Sequence, residues 1–319
     1  MNGSLPEGLI EILACPECRE PLRAPRVDEP GGQGDAPLVC SGCSRRFQAP
    51  GGIPLLYPDD IDTAHMEEEE KLGELMERYV PAGKELFFEE QWEASKQEFW
   101  DCVRESLGPG TGRMILNAGC GIDTHFLGLA GGGDTLVAFD MMHPLLTTLK
   151  ERHGSTINVA GVVQALPFRD GTFDCVCCID LIHHEPGHTK EIIGSFHRLL
   201  KPGGVLLLED INAWGLFQFW KSILMPRRLH GALRSMWHDA RRSSHRPADY
   251  EFPTSVHQVA RMLRSAGFTS VEAVPQHAYP NVGPSGYKLF RLLSRWPLIA
   301  KYHDFHYLLR AEKSTGRPG

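Results

Sequence analysis

The chain has 319 residues, of which 42% are hydrophobic and 23% charged, and its formal net charge is −7. These values exclude a disordered, collagen-like or coiled-coil chain. The negative charge disfavours non-specific nucleic-acid binding, although it allows a local basic patch. A chain of this length predicts two domains of ordinary size, or one large and one small.

Targeting signals and cysteine usage predict a cytoplasmic protein. The N-terminus lacks the charged and apolar regions of a secretory signal, and no long uncharged apolar run predicts a transmembrane helix. The nine cysteines are an odd number. Without a secretory signal they indicate a reducing compartment rather than a disulfide framework.

Two C-x₂-C pairs mark the first 58 residues, at Cys15 and Cys18 and at Cys40 and Cys43. One pair alone could be a redox motif or chance, but two at this spacing predict a structural zinc site closed by four thiolates. The metal would supply the folding energy of so short a segment. With the G-I-P-x-L motif that ends near Tyr57, the segment resembles small zinc ribbons that activate or precede methyltransferases. That resemblance implies a structural or partner-binding module.

Charge is unevenly distributed after this segment. Residues 59–100 contain fourteen acids and four Lys or Arg, which predicts an acidic helical linker over 59–108. Residues 214–270 contain nine Lys or Arg and three acids. Several aromatic residues accompany the basic ones, so this stretch is less readily explained as a solvated surface.

From Arg113 onward, short apolar runs alternate with helix-length segments, and this pattern predicts parallel strands with crossover helices. The first strand ends in Asn117-Ala-Gly119-Cys-Gly121, whose glycines allow a close backbone approach to a ligand. Asp140 ends the second strand, where a carboxylate can accept both hydroxyls of a ribose. The glycine spacing is not G-x-G-x-x-G, so a nucleoside without a diphosphate fits better and a dehydrogenase is disfavoured.

The motifs A-L-P-F-x-D-x-x-F-D and L-K-P-G-G follow in register. This ordered set resembles the class I S-adenosylmethionine-dependent methyltransferases, above all the branch with ubiquinone and menaquinone enzymes. The resemblance implies an α/β fold, with a doubly wound, mostly parallel seven-stranded sheet over 109–319 after a zinc ribbon over 1–58. It also implies S-adenosylmethionine as cofactor. The residues implied to bind it are Asn117, Ala118, Gly119, Cys120, Gly121, Asp123, Asp140, Met141, Val163, Gln164, Ala165, Asp180 and Leu181.

The resemblance also assigns roles within this set. The loop glycines would line the methionine moiety, Asp140 would hold the ribose hydroxyls, and residues 163–165 would border the adenine. Asp180 and Leu181 would lie beside the sulfonium.

The sequence departs from the family pattern at three positions. Asn117 stands where the family usually has an acid, and Asp123 replaces a third glycine. We hypothesise that Asp123 supplies the missing carboxylate near the ammonium group of the ligand. Val162 stands where the family has an acid before the adenine contact, and Gln164 is the candidate replacement.

His183 and His184 are the candidate catalytic residues, with His184 as the first candidate. They follow the fourth strand together with Glu185 and His188, where a methyl acceptor would lie. Imidazole titrates near neutral pH and can act as a general base for a nucleophile that must lose a proton. For each histidine, a capping or packing role is the alternative.

A long insertion at about 211–253 follows the fifth strand, where family members commonly place substrate-covering elements. Its 211–228 part combines aromatic and basic residues. This composition predicts a lid over an apolar substrate or a contact with a membrane surface, and helical core packing is the alternative.

The predicted function is transfer of a methyl group from S-adenosylmethionine to an O, N or C nucleophile of a small-molecule or lipid-like acceptor. Methylation of ribosomal or transfer RNA, gripped by the zinc ribbon and the basic insertion, is a less favoured alternative. A catalytically silent binding module of the same fold is the other alternative. The departures at Asn117, Asp123 and Val162 support it.

Overall fold

A computed structural model describes most of the chain. The residues it describes are 5–6, 8–25, 38–61, 89–121, 124–215, 252–275, 288–289, 292–293 and 295–316. Asp123 and residues 216–251 of the predicted insertion therefore lie outside the described part.

Ten strands and six α-helices form the described part. The strands are β1 Leu22–Arg23, β2 Leu38–Cys40, β3 Arg46–Phe47, β4 Met114–Ala118, β5 Thr135–Asp140, β6 Thr156–Ala160, β7 Phe173–Ile179, β8 Leu200–Ile211, β9 Phe268–Val274 and β10 His306–Lys313. The helices are α1 Leu9–Ile12, α2 Glu89–Leu107, α3 His143–His153, α4 Thr189–Leu199, α5 Val256–Ser265 and α6 Pro297–Tyr302. Short 3₁₀ turns occupy Pro50–Gly52, His125–Leu129, Val163–Ala165 and Ile182–His184.

The larger sheet has seven strands in the order β6-β5-β4-β7-β8-β10-β9. The first five strands pair in parallel, and β10 runs antiparallel to both of its neighbours. The predicted doubly wound, mostly parallel seven-stranded sheet is confirmed. Strand order reverses between β4 and β7, so a crevice is expected at their carboxyl ends.

The central strand β7 shows why this sheet forms. Phe173, Cys175, Cys177 and Cys178 are completely buried, as a central parallel strand covered on both faces requires. These cysteines serve as small apolar residues of the core.

A separate three-stranded sheet, β1-β2-β3, carries the two C-x₂-C turns and packs on the larger sheet. Leu13 forms an isolated antiparallel bridge with Phe168. The N–H of Leu56 donates to the carbonyl of Ala160 at 2.7 Å, and the N–H of Ala160 donates to the carbonyl of Pro54 at 2.9 Å. Residues 54–56 thus run beside the edge strand β6, and one hydrophobic cluster spans both sheets. The ribbon therefore contacts its own larger domain.

Helix α2 lies in the segment predicted as an acidic linker. Its Phe99, Trp100, Val103 and Leu107 are buried in a hydrophobic cluster that includes residues of the seven-stranded sheet. The end of this helix is therefore anchored to the sheet. The domain boundaries at 58 and 108 stay a prediction. Within the described ranges, no helix is both long and apolar enough to cross a membrane.

Candidate functional site

The four N-terminal cysteines form one cluster. The sulfur atoms of Cys15, Cys18, Cys40 and Cys43 lie within 4.8 Å of one another. Cys15 Sγ is 3.8 Å from Cys43 Sγ, and Cys18 Sγ is 3.4 Å from Cys40 Sγ. The N–H groups of Gly42 and Cys43 donate to Cys40 Sγ at 3.4 Å, which favours a thiolate there. This geometry and four soft donors fit structural zinc, which takes four cysteine ligands at tetrahedral corners.

The thiols of this cluster differ in their tendency to ionise. Burial raises the pKa of Cys15 to about 12, and burial also raises the pKa of Cys40. A backbone hydrogen bond from Glu20 is the largest cause that lowers the pKa of Cys18, to about 7. A cation bound here would hold all four as thiolates, so its binding would release protons.

The candidate cofactor loop follows β4 at the switch point. Ala118 and Cys120 are buried. Gly119 and Gly121 have φ angles of +71° and +53°, in the left-handed region that glycine adopts without strain. The N–H groups of Gly119 and Cys120 donate to the carbonyl of Phe139 at 2.8 and 3.0 Å. The loop is thereby held over the end of β5.

Asp140 ends β5 beside this loop, and its side chain is tied to two backbone groups. Its Oδ2 accepts from the N–H of Gly121 at 2.8 Å and its Oδ1 from the N–H of Met142 at 2.9 Å. Burial raises the pKa of Asp140 in spite of these bonds. Each carboxylate oxygen keeps further lone pairs, which can accept ribose hydroxyls. Met141, the next residue of the candidate set, is half-buried.

The zinc ribbon reaches this same point through Tyr57. Its hydroxyl donates to the carbonyl of Met141 at 2.7 Å, directly after Asp140. The sequence motifs gave no sign of this contact, because it joins residues 84 positions apart. Tyr57 therefore connects the ribbon to the backbone beside the candidate ribose position.

Two amide side chains of the candidate set carry acceptor oxygens without a partner in the described structure. Asn117 is buried at the end of β4, and its Oδ1 is buried and unbonded. Gln164 lies in the 3₁₀ turn between Val163 and Ala165, and its Nε2 donates to Glu185 Oε2 at 2.6 Å. Gln164 Oε1 is buried and unbonded. Since buried acceptors are normally satisfied, both oxygens suit donors from a ligand.

Asp180 and Leu181 directly follow β7. Asp180 has a φ of +54°, which is uncommon for a residue other than glycine. Its N–H donates to the carbonyl and to Oε2 of Glu209, each at 3.1 Å. A Cβ atom on Gly119 would lie 2.8 Å from Cδ1 of Leu181. The loops after β4 and β7 are therefore in contact, and a side chain at position 119 would strain the backbone and displace Leu181.

His183 is held in a buried pair with Asp210. Its ring Nδ1 lies 2.7 Å from Oδ1 of Asp210, and its backbone N–H donates to Oδ2 of the same carboxylate at 3.0 Å. Both residues are almost completely buried. The ring of His184 lies 4.0 Å from that of His183, centroid to centroid. Of the neighbouring candidates, Glu185 is bonded to Gln164 and His188 is exposed before α4.

A second histidine–carboxylate pair, Glu209 and His306, also lies within 4.8 Å of Asp180. Glu209 on β8 bonds to Nδ1 of His306 at the start of β10. Burial alone would lower the pKa of His306, but the charge of Glu209, assisted by Asp180 and Asp210, raises it to about 9. Burial raises the pKa of Glu209, and the His306 charge acts against that rise.

Three members of these pairs, Glu209, Asp210 and His306, were missed by the sequence analysis. Two consecutive acids that end a long apolar strand are a signal that could have indicated the carboxylates. No local signal indicates His306, because only the insertion of β10 beside β8 brings it to Glu209.

The sequence around this site is similar to that of a known protein family. Residues 116–208 match the family described as "Methyltransferase domain". The chain is 31% identical over 126 residues to an uncharacterised methyltransferase of Synechocystis, covering 39% of this chain and 59% of that protein. It is 35% identical over 107 residues to a ubiquinone biosynthesis O-methyltransferase of Xanthomonas oryzae, covering 32% and 44%.

A longer match is a tRNA U34 carboxymethyltransferase of Hydrogenovibrio crunogenus, 24% identical over 226 residues, covering 65% of this chain and 61% of that one. The chain thus spans less than two thirds of each of these relatives.

Among solved structures, the chain is similar to the [4+2]-cyclase SpnF with a TM-score of 0.51 and 18% identity, covering 77% of this chain and 97% of that one. This likeness shows a shared fold, and a shared fold does not fix the reaction. The family match, the strand order and the residues at the switch point agree with one another. Residues 116–208 therefore resemble a methyltransferase domain in sequence, and they lie in a sheet whose order is β6-β5-β4-β7-β8-β10-β9.

Proposed function

We propose that this chain transfers a methyl group from S-adenosylmethionine to an O, N or C nucleophile of a small-molecule or lipid-like acceptor. The observation that carries the proposal is the meeting of two half-sites at one edge of the sheet. Asp140 and the loop around Gly119 form the half suited to a nucleoside, and the buried pair of His183 and Asp210 forms the half suited to proton transfer. Leu181 touches Gly119 and so joins the two halves.

The donor half offers acceptors for each polar part of the methyl donor. Asp140 would accept the ribose hydroxyls, Asn117 Oδ1 the ammonium group and Gln164 Oε1 the adenine amine. The amide at 117 lacks the charge of the family's usual acid, so its hydrogen bond from the ammonium group would lack the ion-pair attraction that a carboxylate adds. Asp123 stays the proposed source of the missing carboxylate.

The acceptor half supports general-base catalysis by His183. S-adenosylmethionine is the methyl donor of this family; when bound, it would supply the methyl group on its sulfonium sulfur to the acceptor and leave as S-adenosylhomocysteine. Asp210 fixes the orientation of the His183 ring and would stabilise the imidazolium that forms when His183 takes the nucleophile's proton. Holding both reactants in line supplies much of the rate. His184 packs against the His183 ring and is the second candidate for the base.

The names of relatives support a quinone-like acceptor. The matched proteins include a ubiquinone biosynthesis O-methyltransferase and a demethylmenaquinone methyltransferase, which is 28% identical over 152 residues. A tRNA carboxymethyltransferase supports RNA instead, and its match is longer but less identical. Residues 216–251, most of the basic insertion that would grip RNA, lie outside the described residues.

The test is transfer of a radiolabelled methyl group from S-adenosylmethionine to separated lipid, small-molecule and RNA fractions. We expect label in the lipid or small-molecule fraction, lost in His183→Gln and kept in His153→Gln, whose exposed ring in the last turn of α3 is the matched control. Label in RNA alone would overturn the acceptor class. Absence of label in every fraction, with bound S-adenosylmethionine, would favour a silent binding module.

A further inference from the structure

Glu185 is a buried carboxylate between the two halves of the proposed site, and the proposed chemistry does not use it. It is 7% exposed and directly follows the 3₁₀ turn Ile182–His184, which carries the candidate base. Its backbone carbonyl accepts from the backbone N–H of His188 at 3.1 Å and from the hydroxyl of Thr189 at 3.2 Å. The start of α4 thus holds the backbone of Glu185 in place.

The side chain of Glu185 contacts the 3₁₀ turn Val163–Ala165, which belongs to the donor half. Its Oε2 accepts from Nε2 of Gln164 at 2.6 Å, whereas Oε1 of Gln164 is buried and has no partner in the described structure. The chain enters this turn beside the candidate ribose residue, because the N–H of Gly161 donates to the carbonyl of Asp140 at 3.0 Å. The unbonded oxygen therefore belongs to a segment that starts at the candidate nucleoside position.

The bond to Glu185 decides which end of the Gln164 amide is left for a ligand. A glutamine amide carries an acceptor oxygen and a donor NH₂ group, so it can present either one. An ionised carboxylate only accepts hydrogen bonds, so Glu185 holds the NH₂ group and leaves Oε1. The family's usual acid at position 162 would need no such partner, because a carboxylate accepts in either orientation. With Val162 at that position, the orientation of the amide matters.

The 6-position of a purine distinguishes the two ends of an amide. Adenine has an amine there, which donates, whereas a 6-oxopurine such as guanine has a carbonyl, which accepts. Oε1 of Gln164, held by Glu185, can pair with the amine but not with the carbonyl. A buried acceptor that is left unpaired lowers affinity, so the fixed amide favours one purine over the other.

We propose that Glu185 is a positioning residue that holds Gln164 as an acceptor and thereby makes the donor half selective for adenine over a 6-oxopurine. The inference rests on the proposed function, because it takes Gln164 as the residue that meets the adenine amine. Glu185 acts through Gln164 and not by touching the ligand.

Calorimetric titration of the full-length, metal-loaded chain with two ligands tests this selectivity. The ligands are S-adenosylhomocysteine and S-inosylhomocysteine, in which the 6-amine of the purine is replaced by a carbonyl. We expect the wild type to bind the adenosyl compound about thirty-fold more tightly, because the inosyl compound leaves the buried oxygen of Gln164 unpaired.

Glu185→Gln should reduce this affinity ratio to about three-fold or less, because two amides can pair in either orientation and Gln164 can then turn its NH₂ group to the carbonyl. Glu185→Ala, which also releases the amide, is a second variant with the same expected result. The matched control is Glu191→Gln, an exposed residue of α4, which should keep the wild-type ratio. Circular dichroism shows that each variant is folded.

Gln164→Leu separates positioning from general packing. It should lower the ratio by itself, and adding Glu185→Gln to it should change the ratio no further. A packing role for Glu185 would weaken both ligands together, so an unchanged ratio in the folded Glu185 variants would overturn the inference. Equal binding of both ligands by the wild type would overturn it too, while leaving the proposed cofactor site intact. Binding of neither ligand would refute the proposed function, and the inference with it.

Discussion

The buried pair of His306 and Glu209 makes folding stability sensitive to alkaline pH. The unperturbed pKa of a histidine is 6.5, and the carboxylates around His306, Glu209 foremost, raise its pKa to about 9 against the opposing effect of burial. The folded chain therefore keeps a proton between these values that the unfolded chain releases. The pair's stabilisation is complete below pH 6.5 and is lost as the pH rises through about 9.

The size of this effect follows from the difference between the folded and unfolded pKa values. A rise from 6.5 to about 9 corresponds to about 3 kcal/mol of differential binding at low pH. At about pH 7 the unfolded histidine has already released most of its proton, so part of this 3 kcal/mol is already lost. The free energy of unfolding should therefore fall by about 2 kcal/mol between about pH 7 and pH 9.5. The side chain of His306 is 16% exposed, so solvent screening reduces the effect only modestly.

Denaturant unfolding at these two pH values measures the loss. The double variant His306→Gln with Glu209→Gln removes both charges and keeps two hydrogen-bonding side chains of similar size. Other groups titrate equally in both proteins, so the difference between their pH-dependent losses isolates the pair. Parallel losses in the wild type and the double variant would refute the ion pair as the origin of the pH dependence.

Three further outcomes follow from the site. Tyr57→Phe removes the donor to the Met141 carbonyl, so S-adenosylmethionine binding, measured by calorimetric titration, should weaken about five-fold while Tm changes little. Unchanged affinity would contradict a link between the ribbon and the cofactor site. Chelation of the metal, or Cys40→Ser, should lower Tm because the zinc ribbon and the seven-stranded sheet share one hydrophobic core. An unchanged melting curve after complete removal of the metal would contradict this. Asp210→Asn should lower kcat about a hundred-fold or more and shift the pH profile of kcat, because Asp210 orients His183. A lower kcat with an unshifted pH profile would indicate that Asp210 has a structural role only.

Much of the fold could be predicted because its determinants are local. Apolar runs of four to eight residues predicted the parallel strands, and the carboxyl ends of those strands indicated the candidate ligand-binding residues. Gly119, Gly121 and Asp140 lie together at one edge of the sheet because each directly ends or follows a strand. The four cysteines form a cluster because each C-x₂-C turn brings two sulfurs together.

The remaining features depend on contacts between distant parts of the chain. Tyr57 reaches Met141 across 84 positions, and Glu209 reaches His306 across 97. The second contact requires β10 to insert antiparallel beside β8, and no pattern near His306 reports that register. The pairing of His183 with Asp210 likewise depends on two neighbouring strands, so the sequence predicted the histidine but missed its carboxylate.

Binding of S-adenosylmethionine is the central claim, and calorimetric titration of the metal-loaded chain tests it most directly. Asp140→Ala is the control, with circular dichroism to show that it is folded. We predict micromolar binding to the wild type and a loss of at least about a hundred-fold in the variant, since two hydrogen bonds from ribose hydroxyls to a carboxylate contribute about 3 kcal/mol or more. Absence of binding to the folded wild type, or equal binding to both proteins, would contradict the assignment of this edge of the sheet as the cofactor site.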